Sequence, residues 1–551
     1  MARVLRLSGA ILFSIMQGGW PRPPAPLERP TRTGNHRSPA ARLRVAPSFQ
    51  ARMIMARCTR TPPPCAWVPA LVVGLLLPQF AAADQAPAFS TVLRRQLVLD
   101  SAPDQRFSID ERMRHYGVPG VSVAVVEHCR IVEAQGFGNA TVDGRPVDAH
   151  TRFAAGSVSK VVASVGALAL VQQGRLDLDE DVSSRLRHWQ LPREGDFSGS
   201  TVTLRNLLTH SAGLGVAGFK GYPRDQPLPS LEQILDGRAP ANTPAVRIEA
   251  EPGKAWRYSG GGFVLTQLLM EQTAQQKFAQ LMRDSVLARA GMKESTYQQP
   301  LDAASARHAA TGTLADGTPI PGGWRVYPEQ AAAGLWSTPS DLARLGIDLV
   351  HSLQGKPGVL DTDMAKQMMQ RQIGNWGLGV EVSPEGKPGK FSHTGAPVGY
   401  RTLWLMYPDT CQGAAIMTNA DEGMTLTHEI ARALADTYRW PDAAPSSVVT
   451  TTALTPDISA RFVGEYQLRD FPAERFEVTV QPEGHLGWSR KGRGRRDLVA
   501  AGPMELVSPD SGMRLVATEE PSAQADTLEL HFPGGVNIAV RVKADGTTEA
   551  Q

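Results

Sequence analysis

The chain has 551 residues, 42% hydrophobic and 20% charged, with 52 Gly and 42 Pro; this excludes a fibre or wholesale disorder and is too long for a single core. The formal charge of +3 does not argue for nucleic-acid binding, because residues 1–83 carry eleven Arg against one acid, Glu28, and the remainder is net acidic by about seven charges. No HExxH or CxxC pattern occurs, which argues against a metal enzyme.

In chain order, residues 1–83 read as a leader. The stretch 1–52 is rich in Arg and Pro and lacks a periodic apolar pattern, so it is not expected to pack a core. Residues 53–83 have the form of a signal peptide: Arg57 and Arg60, an apolar run over 66–80, then Ala81-Ala82-Ala83, with cleavage expected after Ala83. The expectation is export to a bacterial periplasm or the medium, with the membrane met only in transit. The apolar run is too short, and too interrupted by Pro69 and Pro78, to span a bilayer.

The body, 84–440, begins with a predicted hairpin of strands over 121–126 and 130–138. A helix is expected over 158–173, stopped by Gly174, which puts Ser157 at its N-terminus. Residues 200–350 read as a helical insertion broken by Pro-rich loops. Strands are expected over 376–382, 390–392, 400–406 and 413–417, then a helix over 426–438. Strands at both ends with helices between imply one antiparallel sheet flanked by helices, with a helical lobe and the site at their seam. Residues 441–456 read as a linker, and 457–551 as a small all-β barrel or sandwich. Within it, the basic run 489–496 is expected to be a solvated loop. Cys129 and Cys411 read as buried free thiols, with pairing in an oxidising periplasm as the alternative.

Three separated motifs carry chemistry. In Ser157-Val158-Ser159-Lys160 the amine falls on the same helical face as the hydroxyl, where it can take the Ser proton if burial or a helix N-terminus lowers its pKa. Alone, such a spacing is as common as a helix cap. Tyr258-Ser259-Gly260 and His393-Thr394-Gly395 follow, and each read singly is an ordinary core tyrosine or strand histidine. His210 reads as a structural turn residue, and Trp256 and Trp336 as cleft lining or core.

The order of these motifs, with Leu207-Leu208-Thr209-His210-Ser211-Ala212-Gly213-Leu214 and Met417-Thr418-Asn419, resembles the serine β-lactamase-related superfamily over about 105–440. That family includes class C β-lactamases, penicillin-binding proteins, esterases and D-aminopeptidases. The resemblance implies an α/β sheet with a helical lobe, Ser157 as nucleophile, and Lys160 and Tyr258 as its proton partners, either of them the acylation base. It further implies an oxyanion hole from the backbone N–H groups of Ser157 and Ala396, and substrate contacts at Gly260, His393, Thr394 and Gly395. The implied chemistry is acylation of Ser157 by a small-molecule or peptide substrate, then hydrolysis, with no cofactor. Two departures bear on substrate: Gly260 stands where the lactamase pattern has an amide-binding Asn, and His393 where many relatives have Lys. They favour ester or small-amide hydrolysis over a D-amino-acid peptidase of peptidoglycan fragments or a true β-lactamase, while the joint presence of Ser157, Lys160 and Tyr258 argues against an inactive cleft-binding protein.

Overall fold

Residues 120–127, Gly-Val-Ser-Val-Ala-Val-Val-Glu, are buried along nearly their whole length, as expected of a strand covered on both faces of its sheet. The computed structural model describes residues 88–443, 446–482, 484–490, 493–518, 525–532 and 535–543. The expected leader and its signal segment lie outside them.

The strands in chain order are β1 (Leu97–Leu99), β2 (Gly120–Glu127), β3 (Arg130–Gly138), β4 (Phe153–Ala154), β5 (Trp336–Ser337), β6 (Glu381–Val382), β7 (Phe391–Gly395), β8 (Arg401–Tyr407), β9 (Gln412–Thr418) and β10 (Ser447–Val449). The helices that matter here are α1 (Ile109–Tyr116), α2 (Val158–Gln172), α3 (Gly260–Ala274), α4 (Gln330–Ala333), α5 (Pro339–Leu353), α6 (Thr362–Met369), α7 (Gly423–Tyr438) and α8 (Pro456–Phe462). The main sheet is antiparallel, in the order β3-β2-β9-β8-β7-β6. One face packs on α5 and the lobe that contains α2 and α3. The other face packs on α1 and α7. Helix α2 is apolar all round and buried nearly throughout, so it is the central post of the lobe.

Residues 464–541 form a closed barrel of eight antiparallel strands, β11 (Gly464–Leu468), β12 (Phe471–Val480), β13 (Leu486–Arg490), β14 (Arg496–Gly502), β15 (Glu505–Val507), β16 (Arg514–Ala517), β17 (Thr527–Phe532) and β18 (Gly535–Arg541). Closure leaves no free strand edge. Its own core is built of alternating inward residues such as Tyr466, Phe476, Val478 and Leu528. The barrel is joined to the main sheet by buried charge. Arg112 on α1, 2% exposed, reaches Glu429 on α7 at 2.7 Å and Asp510 of the barrel at 2.6 Å. Asp510 also meets Arg95 at 3.1 Å and His115 at 2.7 Å; the hydrogen bond to His115 and the charges of Arg112 and Arg95 hold its carboxyl well below the usual range despite burial.

Four expectations are corrected. The strand expected over 376–382 shrinks to β6, because left-handed glycines at 374 and 379 turn the chain before it, and α6 intervenes earlier. The 441–456 segment is not a bare linker: β10 pairs in parallel with β1, and the Asp100 carboxylate accepts from the N–H and hydroxyl of Thr451 at 3.0 and 2.9 Å. The basic run is not simply solvated, since Arg493 and Arg496 both bind Glu422 at the head of α7. Cys129 and Cys411 form a disulfide. Strand β2 pairs with both β3 and β9, so the β2–β3 and β8–β9 turns come side by side, where Cys129 N–H donates to Cys411 O at 3.1 Å.

Candidate active site

The segment before α2 is pinned by close backbone packing. A Cβ on Gly395 would fall 2.0 Å from Ala155 O, and one on Gly156, which has φ +54°, would fall 2.3 Å from Pro397 Cδ. Only glycines allow the end of β7 to lie this near the start of α2. The close approach brings the backbone at Ala396 beside that of Ser157. Neither the Ser157 N–H nor the Ala396 N–H donates to another described residue. Two such free donors are what an oxyanion requires.

Ser157 is partly exposed, whereas Lys160, one turn along, is 2% exposed. The Lys160 Nζ lies 3.1 Å from Ser157 Oγ and donates to Ala332 O, on α4, at 2.8 Å. The rings of Tyr258 and Phe263 stand 5.0 and 5.7 Å from it, and among the described residues no carboxylate lies within 4.0 Å. Burial without a counter-ion lowers the amine to about 7. Ser159 Oγ accepts from Leu335 N–H at 2.9 Å and Tyr297 donates to Ser159 O at 2.6 Å, so the turn that carries Lys160 is fixed from the lobe side.

Tyr258 immediately precedes Ser259, the cap of α3. Ser259 caps that helix, accepting from Gly262 N–H at 2.9 Å and donating to Gly215 O at 2.8 Å. The phenol meets Ser157, and burial raises its pKa well above the ordinary value, so it stays protonated near neutrality. His210 lies against Tyr258 with ring centroids 4.2 Å apart, and its Nδ1 accepts from Ser259 N–H at 3.1 Å. Burial, then the charge of Lys160, keeps His210 neutral. Sequence reasoning had His210 only as a turn residue; its position in Leu208-Thr209-His210-Ser211 gave no sign that it would touch Tyr258. Trp376 was placed within a strand. It stacks on Trp256 at 5.7 Å, and its ring is 5.0 Å from His210 and 5.4 Å from His393, so it completes an aromatic wall. Trp336 is core, with none of its surface exposed.

The residues expected to contact substrate divide. His393, 4% exposed, faces Tyr258 across 6.5 Å. Its Nδ1 lies 2.6 Å from Thr394 O and so carries the proton, which leaves Nε2 as an acceptor with no described partner. Burial, then Lys160, lowers its pKa to about 3, so it presents a lone pair rather than a cation. Gly395 belongs to the backbone approach described above. Gly260 is corrected: it is buried at the first turn of α3, and a Cβ there would sit 2.8 Å from Phe219 Cε2 and 3.1 Å from Ala217 O. It is a packing position with no room for an amide side chain. Thr394 is corrected too. Strand alternation turns it away from His393, and it lines a separate cavity on the far face of β7. Among the described residues no group of three or more His, Cys, Asp or Glu is placed to hold a metal ion.

A family model described as Beta-lactamase matches residues 108–439, more than half of the chain. The chain is 25% identical over 250 residues to Protein flp of Staphylococcus aureus (strain MW2), a match covering 44% of this chain and 46% of that protein. It therefore spans about half the length of these curated relatives. It is 24% identical over 388 residues to Penicillin-binding protein 4* of Bacillus subtilis (strain 168), covering 66% of this chain and 82% of that protein. Among solved structures, the octameric penicillin-binding protein homologue from Pyrococcus abyssi aligns with a TM-score of 0.53 at 20% identity, over 78% of this chain and 98% of that one, a likeness of fold.

Proposed function

The chain belongs to the β-lactamase family, and from that premise we propose that it is a serine hydrolase that acylates Ser157 and hydrolyses esters or small amides. The observation that carries this reading is the buried Lys160 amine, 3.1 Å from Ser157 Oγ, with no carboxylate to keep it charged. In the neutral amine, one N–H donates to Ala332 O while the lone pair faces the Ser157 hydroxyl. As Ser157 Oγ attacks the substrate carbonyl, its proton passes to Nζ, and the charge on the carbonyl oxygen is met by the N–H groups of Ser157 and Ala396. Tyr258, protonated and in contact with Ser157, delivers a proton to the leaving group. The Lys160 ammonium then reprotonates Tyr258, so both groups regain their starting forms; water attacks the ester and gives its proton to Lys160 Nζ, which returns it to Ser157 Oγ as the acid leaves. Close packing at Gly260 excludes a side-chain amide that would read a peptide or β-lactam acyl group, and neutral His393 is no anchor for a substrate carboxylate. Both favour ester and small-amide substrates.

The test is intact mass after exposure to a fluorophosphonate and, separately, to p-nitrophenyl butyrate and penicillin, comparing wild type with Ser157→Ala. An adduct or turnover confined to wild type is expected, with the ester preferred. Folded wild type that gains no adduct from any probe would remove the reading.

The pH profile follows from the same groups. Lys160 must be neutral to accept the proton, so kcat/KM should rise with pH through about 7 and level off above it. Both His210 and His393 stay neutral over that range and Tyr258 stays protonated, so no second inflection is expected between pH 5 and 9. A rate that falls through pH 7 would reverse the assignment of base.

A further inference from the structure

Behind the main sheet, on the face away from Ser157, lies a second cavity of about 810 Å³ between α7, β8 and the barrel. That volume suits a drug-sized ligand. Neither Ser157 nor Lys160 nor Tyr258 lines it. Its walls include Leu403, Leu405, Trp440, Trp488, Met513 and Phe532, an apolar surface drawn from both the hydrolase and the barrel.

The charges around it do not balance locally. The carboxylates that line it are largely committed: Asp421 to Arg401 at 2.9 Å, Asp442 to Lys390 at 2.6 Å and to Tyr407, Glu422 to Arg493 and Arg496, and Asp510 to Arg112 at 2.6 Å. Glu381, which is exposed, has no cation at bonding distance among the described residues. Arg432 on α7 is different. Its guanidinium donates only to neutral acceptors, Gln96 Oε1 at 2.7 Å and Arg94 O at 3.3 Å, and among the described residues no carboxylate lies within 4.0 Å of it. His428, one helical turn earlier on the same face, opens into the same space and has no described hydrogen-bond partner. The charges of Arg432 and Lys390 beside it hold its pKa below the ordinary imidazole value, so it is neutral near pH 7. A neutral imidazole supplies an N–H donor beside the guanidinium.

We infer that this cavity binds an amphiphilic carboxylate, its anionic head on Arg432 and His428 and its apolar body against Leu403, Leu405, Trp440 and Trp488. A cation is disfavoured because four of the five carboxylates that line the cavity, all but Glu381, are already paired. A neutral amphiphile would leave Arg432 with no direct ionic partner, only the through-space pull of Glu429 and Asp510. The site also touches the catalytic one through a single strand: Ser392 and Thr394 of β7 line this cavity, and His393 between them faces Tyr258.

The experiment is isothermal titration of the full protein with decanoate below its micellar concentration, set against decanol and decyltrimethylammonium. Decanoate should bind saturably at one site, about tenfold or more tighter than either control, as expected for a charge-assisted pair. Arg432→Gln should weaken decanoate by about tenfold or more and leave decanol unchanged, with Arg432→Lys recovering part of the loss. If Arg432→Gln fails to fold, Ala431→Trp, which fills the cavity from α7, should abolish binding by itself. Absence of saturable binding, equal binding of decanol, preference for the ammonium, or indifference to both Arg432→Gln and Ala431→Trp would overturn the proposal.

Discussion

Lys160→Met should abolish turnover and at the same time raise the stability of the fold. The side chain is 2% exposed, and its amine falls from 10.5 to about 7 on folding because burial penalises the charged form. Below pH 7 the folded protein therefore bears a protonated amine it solvates poorly; between 7 and 10.5 it bears the work of giving up a proton that the unfolded chain retains. Above 10.5 the penalty vanishes, so the wild-type deficit shrinks as pH rises through that window. The shift corresponds to roughly 5 kcal/mol at its largest. Met keeps most of the volume but leaves Ala332 O without its donor, which costs about 1–3 kcal/mol. The net gain at pH 7 should be about 2 kcal/mol or more, read as a shift in the urea midpoint, and it should be lost before pH 10.5, where the unpaired Ala332 O leaves the variant less stable than wild type. Turnover of p-nitrophenyl butyrate should fall by about 1000-fold or more, since the nucleophile loses its base. A variant no more stable than wild type at pH 7 would mean that Lys160 is solvated in the free protein.

The second large effect is expected at Arg112. This guanidinium holds Glu429 through two hydrogen bonds, at 2.7 and 2.8 Å, and Asp510 through one at 2.6 Å, with Tyr116 OH donating to Glu429 at 2.9 Å. In Arg112→Met, Asp510 keeps Arg95 and His115, but Glu429, wholly buried, keeps only the tyrosine hydroxyl. Removing one partner of a buried pair typically costs about 3–5 kcal/mol, because the survivor is an uncompensated charge. The urea midpoint at pH 7 should fall accordingly, and adding Glu429→Gln should restore part of the loss. A drop of under about 1 kcal/mol would show that water or a side-chain shift compensates the carboxylates.

How much of this was legible in the sequence depends on whether the signal was local. Ser157 and Lys160 were legible because three residues on a helix return to the same face, and the apolar run after them marks that helix. The barrel was legible from alternation over stretches such as Phe476 to Val480, although closure was not, since it depends on β11 meeting β18. The disulfide was hidden because its cysteines are 282 residues apart and meet only through sheet order. Arg493 and Arg496 read as solvent-facing because they belong to a dense basic run, whereas their partner, Glu422, lies some seventy residues earlier in the other half of the molecule. Gly260 was read by motif position as part of the cleft. Its place is set by Phe219 and Ala217, which no spacing rule reaches. Trp376 was missed because its apolar neighbours resemble a strand until the glycines around it are given their backbone angles.

The bond between Cys129 and Cys411 has a further meaning when the chain is traced along its length. Ser157, Lys160, Tyr258 and His393 all fall between the two cysteines, so the segment that carries the proposed site is a covalently closed ring from which both chain ends emerge together. The hydrolase lobe is thus cyclic in the topological sense although the polypeptide is linear. A proteolytic nick within that ring opens it without parting the pieces, and the residues that must cooperate on one substrate stay tethered to one another.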